Sequence, residues 1–245
     1  MRQLETDLIL RFHTALHAQF SRRQGGTLAG TALGGQDRAL ADYLLAANAR
    51  FALIEFKAAA AAIATEDDKP LRHRLCRALG TCRQSAALAR DIHYLAWGSH
   101  AERNVPGFGM QTVEDIVVTP YAGKVCPLLD EAYPAPAQTE EPSERFIRRF
   151  LGSRTAGGSA RRFKAYLELL YGIAGGCTAS ELKRFEGFVY VYVAGAVLHE
   201  VRFHGLDHLL ELTLGRSPER APERLTEREP ERKQTRERDG PELSM

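Results

Sequence analysis

The chain has 245 residues, 44% of them hydrophobic and 26% charged, which fits one sizeable globular domain or two small ones and excludes a disordered or fibrous protein. Its 33 Lys and Arg against 31 Asp and Glu leave a formal net charge of +2, which excludes a globally basic nucleic-acid coater but not a locally positive groove. Four scattered cysteines with no CxxC pair exclude a structural zinc site of the usual spacing, and no run of about 18 apolar residues marks a membrane span.

Residues 4–20 read as an amphipathic helix, because Leu4, Leu8, Phe12 and Leu16 recur at helical spacing. This charged start does not resemble a secretory leader. A cytoplasmic protein with free thiols is therefore the expectation. Gln24 to Gln36 is rich in Gly and Thr and reads as a loop. Asp42 to Leu45 and Phe51 to Lys57 are apolar runs of strand length, and Asn48 between them suits a tight turn, so a β-hairpin is expected. The alanines of 58–62 allow either strand or helix. Pro70 to Arg90 reads as one helix with Pro70 in its first turn. Ile92 to Trp97 reads as a buried strand, Ser99 to Gly109 as a loop and Val113 to Val118 as a further strand.

Residues 130–143 have linker composition, with Pro134, Pro136 and Pro142 among small and acidic residues. Helices are expected at Ser143 to Leu151 and Ala160 to Tyr171, strands at Phe188 to Val193 and Val197 to Phe203, and a short helix from His208 to Leu214. Residues 143–215 thus form either a smaller α+β unit or a continuation of the core. Residues 216–245 carry equal numbers of basic and acidic side chains in degenerate Pro-Glu-Arg repeats. Almost nothing there can enter a core, so a disordered tail is expected, one able to tether a protein partner.

The chemistry concentrates between Asp42 and Lys57. Glu55 and Lys57 are two residues apart, so on a strand they share a face. A turn centred between Asn48 and Ala49 sets Asp42 directly opposite Glu55, with Cβ atoms about 5 Å apart. Two carboxylates that close repel unless a cation lies between them, and Mg²⁺ prefers such hard oxygen ligands. Lys57 adds a compact positive charge beside them.

Asp42 opening one strand and Glu55-x-Lys57 on the next resemble the PD-(D/E)xK nuclease superfamily. The resemblance covers roughly residues 1–120, in the order helix, hairpin, helix, strand, within a nuclease-like domain expected over residues 1–130. Ala41 stands where the family name has proline, and Leu88 stands where one branch has a Tyr four residues after its Gln, here Gln84. The resemblance implies an α/β, restriction-endonuclease-like core, a mixed sheet flanked by helices. It implies catalysis by Asp42, Glu55 and Lys57. It implies Mg²⁺ or Mn²⁺ held by Asp42, Glu55 and the Phe56 carbonyl, with Glu5 on the preceding helix as a further ligand. DNA is the implied substrate ahead of RNA, in restriction, repair or antiviral defence, and a homodimer is allowed. On this reading Lys57→Ala abolishes cleavage and leaves folding nearly intact.

Gln84, Arg148, Arg149, Arg161 and Arg162 are candidate nucleic-acid contacts; the arginines belong to a basic cluster with Arg145, Arg154 and Lys164 that reads equally as a solvated helix face. His199, Glu200, His204 and His208 offer a zinc alternative. His13 and His17 share a helix face, and Trp97 reads as core. The rival to a nuclease is a non-catalytic nucleic-acid-binding or assembly module that keeps the same fold.

Overall fold

A computed structural model describes residues 4–23, 25–33, 41–130, 133–134, 139–153, 155–175 and 186–214. Residues 1–215 make one compact unit. The expected tail, residues 216–245, lies outside the described residues, as do Arg154 and Cys177.

Helix α1 (Glu5–Phe20) opens the unit, with Glu5 and Asp7 in its first turn and His17 in its last, the polarity the helix dipole favours for acidic residues at the start. It buries Leu8, Phe12, Leu16 and Phe20 along one stripe, while Leu4 remains exposed. Strand β1 (Gly25–Ala32) follows, where a loop was expected. Its small residues give no apolar alternation, yet its backbone is paired on both sides, which fixes it as strand.

Strands β2 (Tyr43–Ala47) and β3 (Arg50–Lys57) form the expected hairpin. Asn48 and Ala49 both take positive φ, 52° and 61°, as a two-residue type I′ turn requires. A 3₁₀ helix (Ala60–Asp68) then leads into α2 (Pro70–Thr81), with Pro70 in its first turn. The expected single helix is broken at Cys82, whose extended angles separate α2 from α3 (Arg83–Ile92).

Strands β4 (His93–Val105) and β5 (Gly109–Pro120) pair continuously into a long hairpin, so the loop expected at 99–109 is largely strand. Its outer half is exposed and lacks the apolar alternation that marks half-buried strands. After it come α4 (Tyr121–Leu129), the short β6 (Glu141–Pro142), α5 (Ser143–Arg148) running into a wider turn at Arg149–Ser153, and β7 (Gly158–Ser159). The chain closes with α6 (Ala160–Ala174), β8 (Glu186–Val193), β9 (Ala196–His204) and α7 (Gly205–Leu214).

Among the described residues the strands make one open, mixed sheet in the order β6-β5-β4-β3-β2-β1-β8-β9, with β7 also paired to β3. It is mostly antiparallel; β3 and β4 run parallel, joined by the crossover through α2 and α3. Strands β8 and β9 extend this same sheet through β1. Helices cover both faces. One core layer joins Phe51, Leu53, Leu95 and Trp97 to α2, α3, α4, α6 and α7; the other joins Ala52, Ile54 and Phe56 to α1 and α5. The alternation along β3 therefore assigns Glu55 and Lys57 to the Phe51 and Leu53 face, at the end where the 3₁₀ helix and α2 begin. No described helix is long and apolar enough to cross a membrane.

The cysteines correct the expectation of free thiols. Cys76 on α2 and Cys126 on α4 are both fully buried and form a disulfide, while Cys82 is free. Fifty residues separate the two in sequence, so only the packing of α2 against α4 brings them together.

Candidate active site around Asp42, Glu55 and Lys57

The β2–β3 register pairs Tyr43 with Ile54 and Ala47 with Arg50, so Asp42, one residue before β2, stands opposite Glu55. The Asp42 Oδ2 accepts a hydrogen bond of 2.5 Å from the Phe56 N–H. Among the described residues no ion pair engages it. Burial, then the charge of Glu55, push its pKa from 3.8 up to about 7. Glu5 is exposed on the first turn of α1, and its charge adds a smaller upward push on Asp42.

Glu55 is 2% exposed, and both of its oxygens are engaged. Oε1 takes Lys57 Nζ at 3.1 Å and Lys69 Nζ at 2.8 Å, and Oε2 takes Arg72 Nη2 at 2.9 Å. A second buried carboxylate, Glu66, meets the same three cations. Its Oε1 lies 2.8 Å from Lys57 Nζ and from Lys69 Nζ, and its Oε2 lies 3.2 Å from Arg72 Nε. The Tyr121 hydroxyl donates to Glu66 Oε2 at 2.5 Å. Burial works to raise the Glu66 pKa, but the hydrogen bond and charge of Lys57 outweigh it and bring it to about 2. Burial likewise works against the Lys57 ammonium, and the charge of Glu55 with the hydrogen bond to Glu66 more than offsets it, so Lys57 stays protonated. Behind them the Arg72 guanidinium lies over the Tyr121 ring, which stacks on the fully buried His93.

The structure therefore brings Asp42, Glu55 and Lys57 together. Phe56 sits between them in β3 with its ring on the opposite face, 5.6 Å from Phe12. The two carboxylates that face each other across the hairpin and line one pocket are those of Asp42 and Glu55. Both supply hard oxygen donors, and Asp42 is a half-buried carboxylate that joins no ion pair among the described residues; in donor chemistry the two fit Mg²⁺ or Mn²⁺. Lys57, 4% exposed and bound to both glutamates, contributes more to folding than its sequence position suggested.

Glu66, Lys69, Arg72 and Tyr121 were not singled out from the sequence. The three-residue spacing of Glu66, Lys69 and Arg72 across a helix start was the available signal for the first three. Tyr121 carried none, because its place depends on how α4 packs.

The other candidates lie elsewhere. Arg149 is ion-paired to Glu141, and Arg162 to Asp91 at 2.6 Å. Arg148 and Arg161 are exposed, as is Gln84 in the first turn of α3. His204 lies 3.5 Å from Glu186, and its backbone N–H donates to His208 Nδ1 at 3.3 Å; His199 pairs with Val191 across the hairpin. Trp97 is core, as expected. No family model, curated protein or solved structure matches the chain.

Proposed function

We propose that the chain is a metal-dependent nuclease of the PD-(D/E)xK type with a restriction-endonuclease-like core, acting on DNA ahead of RNA. The element order of α1, the β2–β3 hairpin, helices and β4 supports this reading. The observation that carries it is Asp42. Asp42 is a half-buried carboxylate opposite Glu55 that lines the neighbouring pocket, accepts a hydrogen bond from the Phe56 N–H and, among the described residues, joins no ion pair. Such a group is explained by a ligand that brings positive charge.

Asp42 and Glu55 would hold the cation. When bound, Mg²⁺ or Mn²⁺ supplies Lewis-acid polarisation of a phosphoryl oxygen and a more acidic water. Lys57 is protonated, so it donates rather than accepts: it orients the attacking water or stabilises charge on the phosphorane-like transition state. Glu66 and Arg72 hold Lys57 and Glu55 in place.

The test is a cleavage panel of single- and double-stranded DNA and RNA with Mg²⁺, Mn²⁺ or chelator, run on the wild type and on Asp42→Asn. The raised pKa of Asp42 means that its protonated form stabilises the fold at acid pH, a contribution lost as pH rises from about 4 through about 7. Asn mimics the protonated form. Asp42→Asn should therefore lower cleavage by about 100-fold or more while the melting temperature at pH 8 stays equal or rises. Wild-type rates in the variant would refute the assignment.

One observation favours a second reading. Both oxygens of Glu55 are already satisfied by cations of the chain. A non-catalytic nucleic-acid-binding or assembly module with the same fold would keep such a cluster for rigidity alone. Calorimetric titration with Mn²⁺ separates the two: no binding and no cleavage would favour the module.

A further inference from the structure

A cavity of about 720 Å³, the size of a small-molecule site, lies where β4 begins and β5 ends. It shares no lining residue with the pocket beside Asp42 and Glu55. One face of α3 forms a wall: Arg83, Ala86, Ala87 and Arg90 follow at helical spacing. The two arginines stand seven residues, about 10 Å, apart along the helix, with alanines on the wall between them. Ala122 and Gly123 of α4 also line the cavity, and such small side chains leave room for a flat ring.

Two polar side chains in the lining are more than nine-tenths buried and incompletely satisfied. Thr119 of β5 is 1% exposed, and its Oγ1 has no hydrogen-bond partner among the described residues. Glu141 of β6 is 4% exposed; its Oε1 takes Arg149, but Oε2 accepts no hydrogen bond and has Arg145 Nε at 3.5 Å. A buried polar atom without a partner costs free energy, and a ligand that brings the missing group removes that cost.

The charge around the cavity is positive. Arg83, Arg90 and Arg149 line it with Asp91 and Glu141, and Arg162 and Arg145 pair with those two carboxylates from outside. The lining residues and their ion-pair partners thus set five arginines against two carboxylates, and the adjacent Glu140 is matched by Lys124. Arg83 joins no ion pair among the described residues, and Arg90 reaches Asp91 at 3.5 Å.

We propose that this cavity binds a nucleoside monophosphate whose base carries an amino group. The phosphate lies over Ala86 and Ala87, within reach of both Arg83 and Arg90. The base occupies the space between these alanines and Gly123. Its amino group donates to Glu141 Oε2, and Thr119 Oγ1 bonds a polar atom of the base or sugar. The site stands whether or not the chain cleaves nucleic acid.

Calorimetric titration of the full chain with adenosine monophosphate tests the proposal, in chelator so that no divalent cation recruits the phosphate elsewhere. Inosine monophosphate, with a carbonyl in place of the amino group, and adenosine, without the phosphate, are the controls. Each control should bind about tenfold more weakly or worse. Arg83→Ala/Arg90→Ala should weaken adenosine monophosphate roughly tenfold or more and leave the melting temperature near that of the wild type, because both side chains are exposed. Thr119→Val keeps the shape and removes the unpartnered hydroxyl. It should hold or raise the melting temperature and weaken the nucleotide about fivefold.

A hydroxyl with no part in binding would give the same melting result with unchanged affinity. That result would overturn the proposal. So would no binding of adenosine monophosphate by the wild type at millimolar concentration, equal affinity for inosine monophosphate, or undiminished affinity in the double arginine variant.

Discussion

His13 and His17 stack on one another along α1, with ring centroids 4.1 Å apart. His13 Nδ1 shares a hydrogen bond with the Tyr43 hydroxyl at 2.8 Å, and His17 Nδ1 shares one with the Tyr192 hydroxyl. Tyr190 stands edge-on to both rings. Burial lowers the pKa of His13, and burial together with the charge of His13 lowers that of His17 to about 4. Both are neutral in the fold, whereas the unfolded chain takes up protons near pH 6.5. Their contribution is therefore present above about pH 6.5 and lost as pH falls towards 4. Melting temperatures should therefore fall as the pH is lowered across that range. A His13→Gln/His17→Gln double variant should show a flatter profile; the same slope in the variant would mean that other groups govern acid sensitivity. The sequence placed these histidines on one helix face, but nothing in it showed that three tyrosines from β2 and β8 close over them.

The β2–β3 hairpin is the element on which the site depends. A one-residue slip would turn Asp42 and Glu55 to opposite faces. The turn fixes the register, and Ala49 holds φ at 61°, where an L side chain costs about 1 kcal/mol and glycine little. Ala49→Gly should raise the melting temperature by about 2–4 °C without altering the site. A decrease on thermal melting would mean that the turn is held by contacts the backbone angles do not reveal. Strand β1 shows the opposite dependence. Gly30 faces the Tyr43 hydroxyl and Leu16 so closely that a Cβ would displace them. The glycines that read as a loop allow β1 to lie close under α1. Only its neighbours on both sides make it a strand.

For the whole molecule, the disulfide and the sheet tie distant segments to the site. Cys76 is on α2, which carries Arg72, and Cys126 is on α4, which begins at Tyr121. The bond therefore links the two helices that close over Glu66. Reduction should lower stability by about 2–4 kcal/mol, read as a fall in melting temperature on adding reductant. A Cys76→Ala/Cys126→Ala double variant should melt lower from the outset and no longer respond to reductant. A wild type that ignores reductant would show two packed thiols in place of a bond. Strands β8 and β9 extend the sheet through β1, so Tyr190 and Tyr192 reach α1 from a segment far along the chain.

The sequence by itself determined what depends on neighbours a few residues away. The stripe of Leu8, Phe12 and Leu16 specifies α1, Asn48 marks the turn, and the two-residue spacing of Glu55 and Lys57 puts them on one face. These follow from the 3.6- and 2-residue periods of helix and strand, which need no tertiary contact. Tertiary structure alone decided the rest. Whether Gly25–Ala32 is a strand depends on β2 and β8; whether Cys76 meets Cys126 depends on the packing of α2 and α4. The charge state of the site is also tertiary. The raised pKa of Asp42 comes from burial and from Glu55, and the three cations on Glu55 arrive from β3 and from the start of α2. A residue's position in the chain gives its periodicity. Its desolvation and its partners exist only once other segments have packed around it.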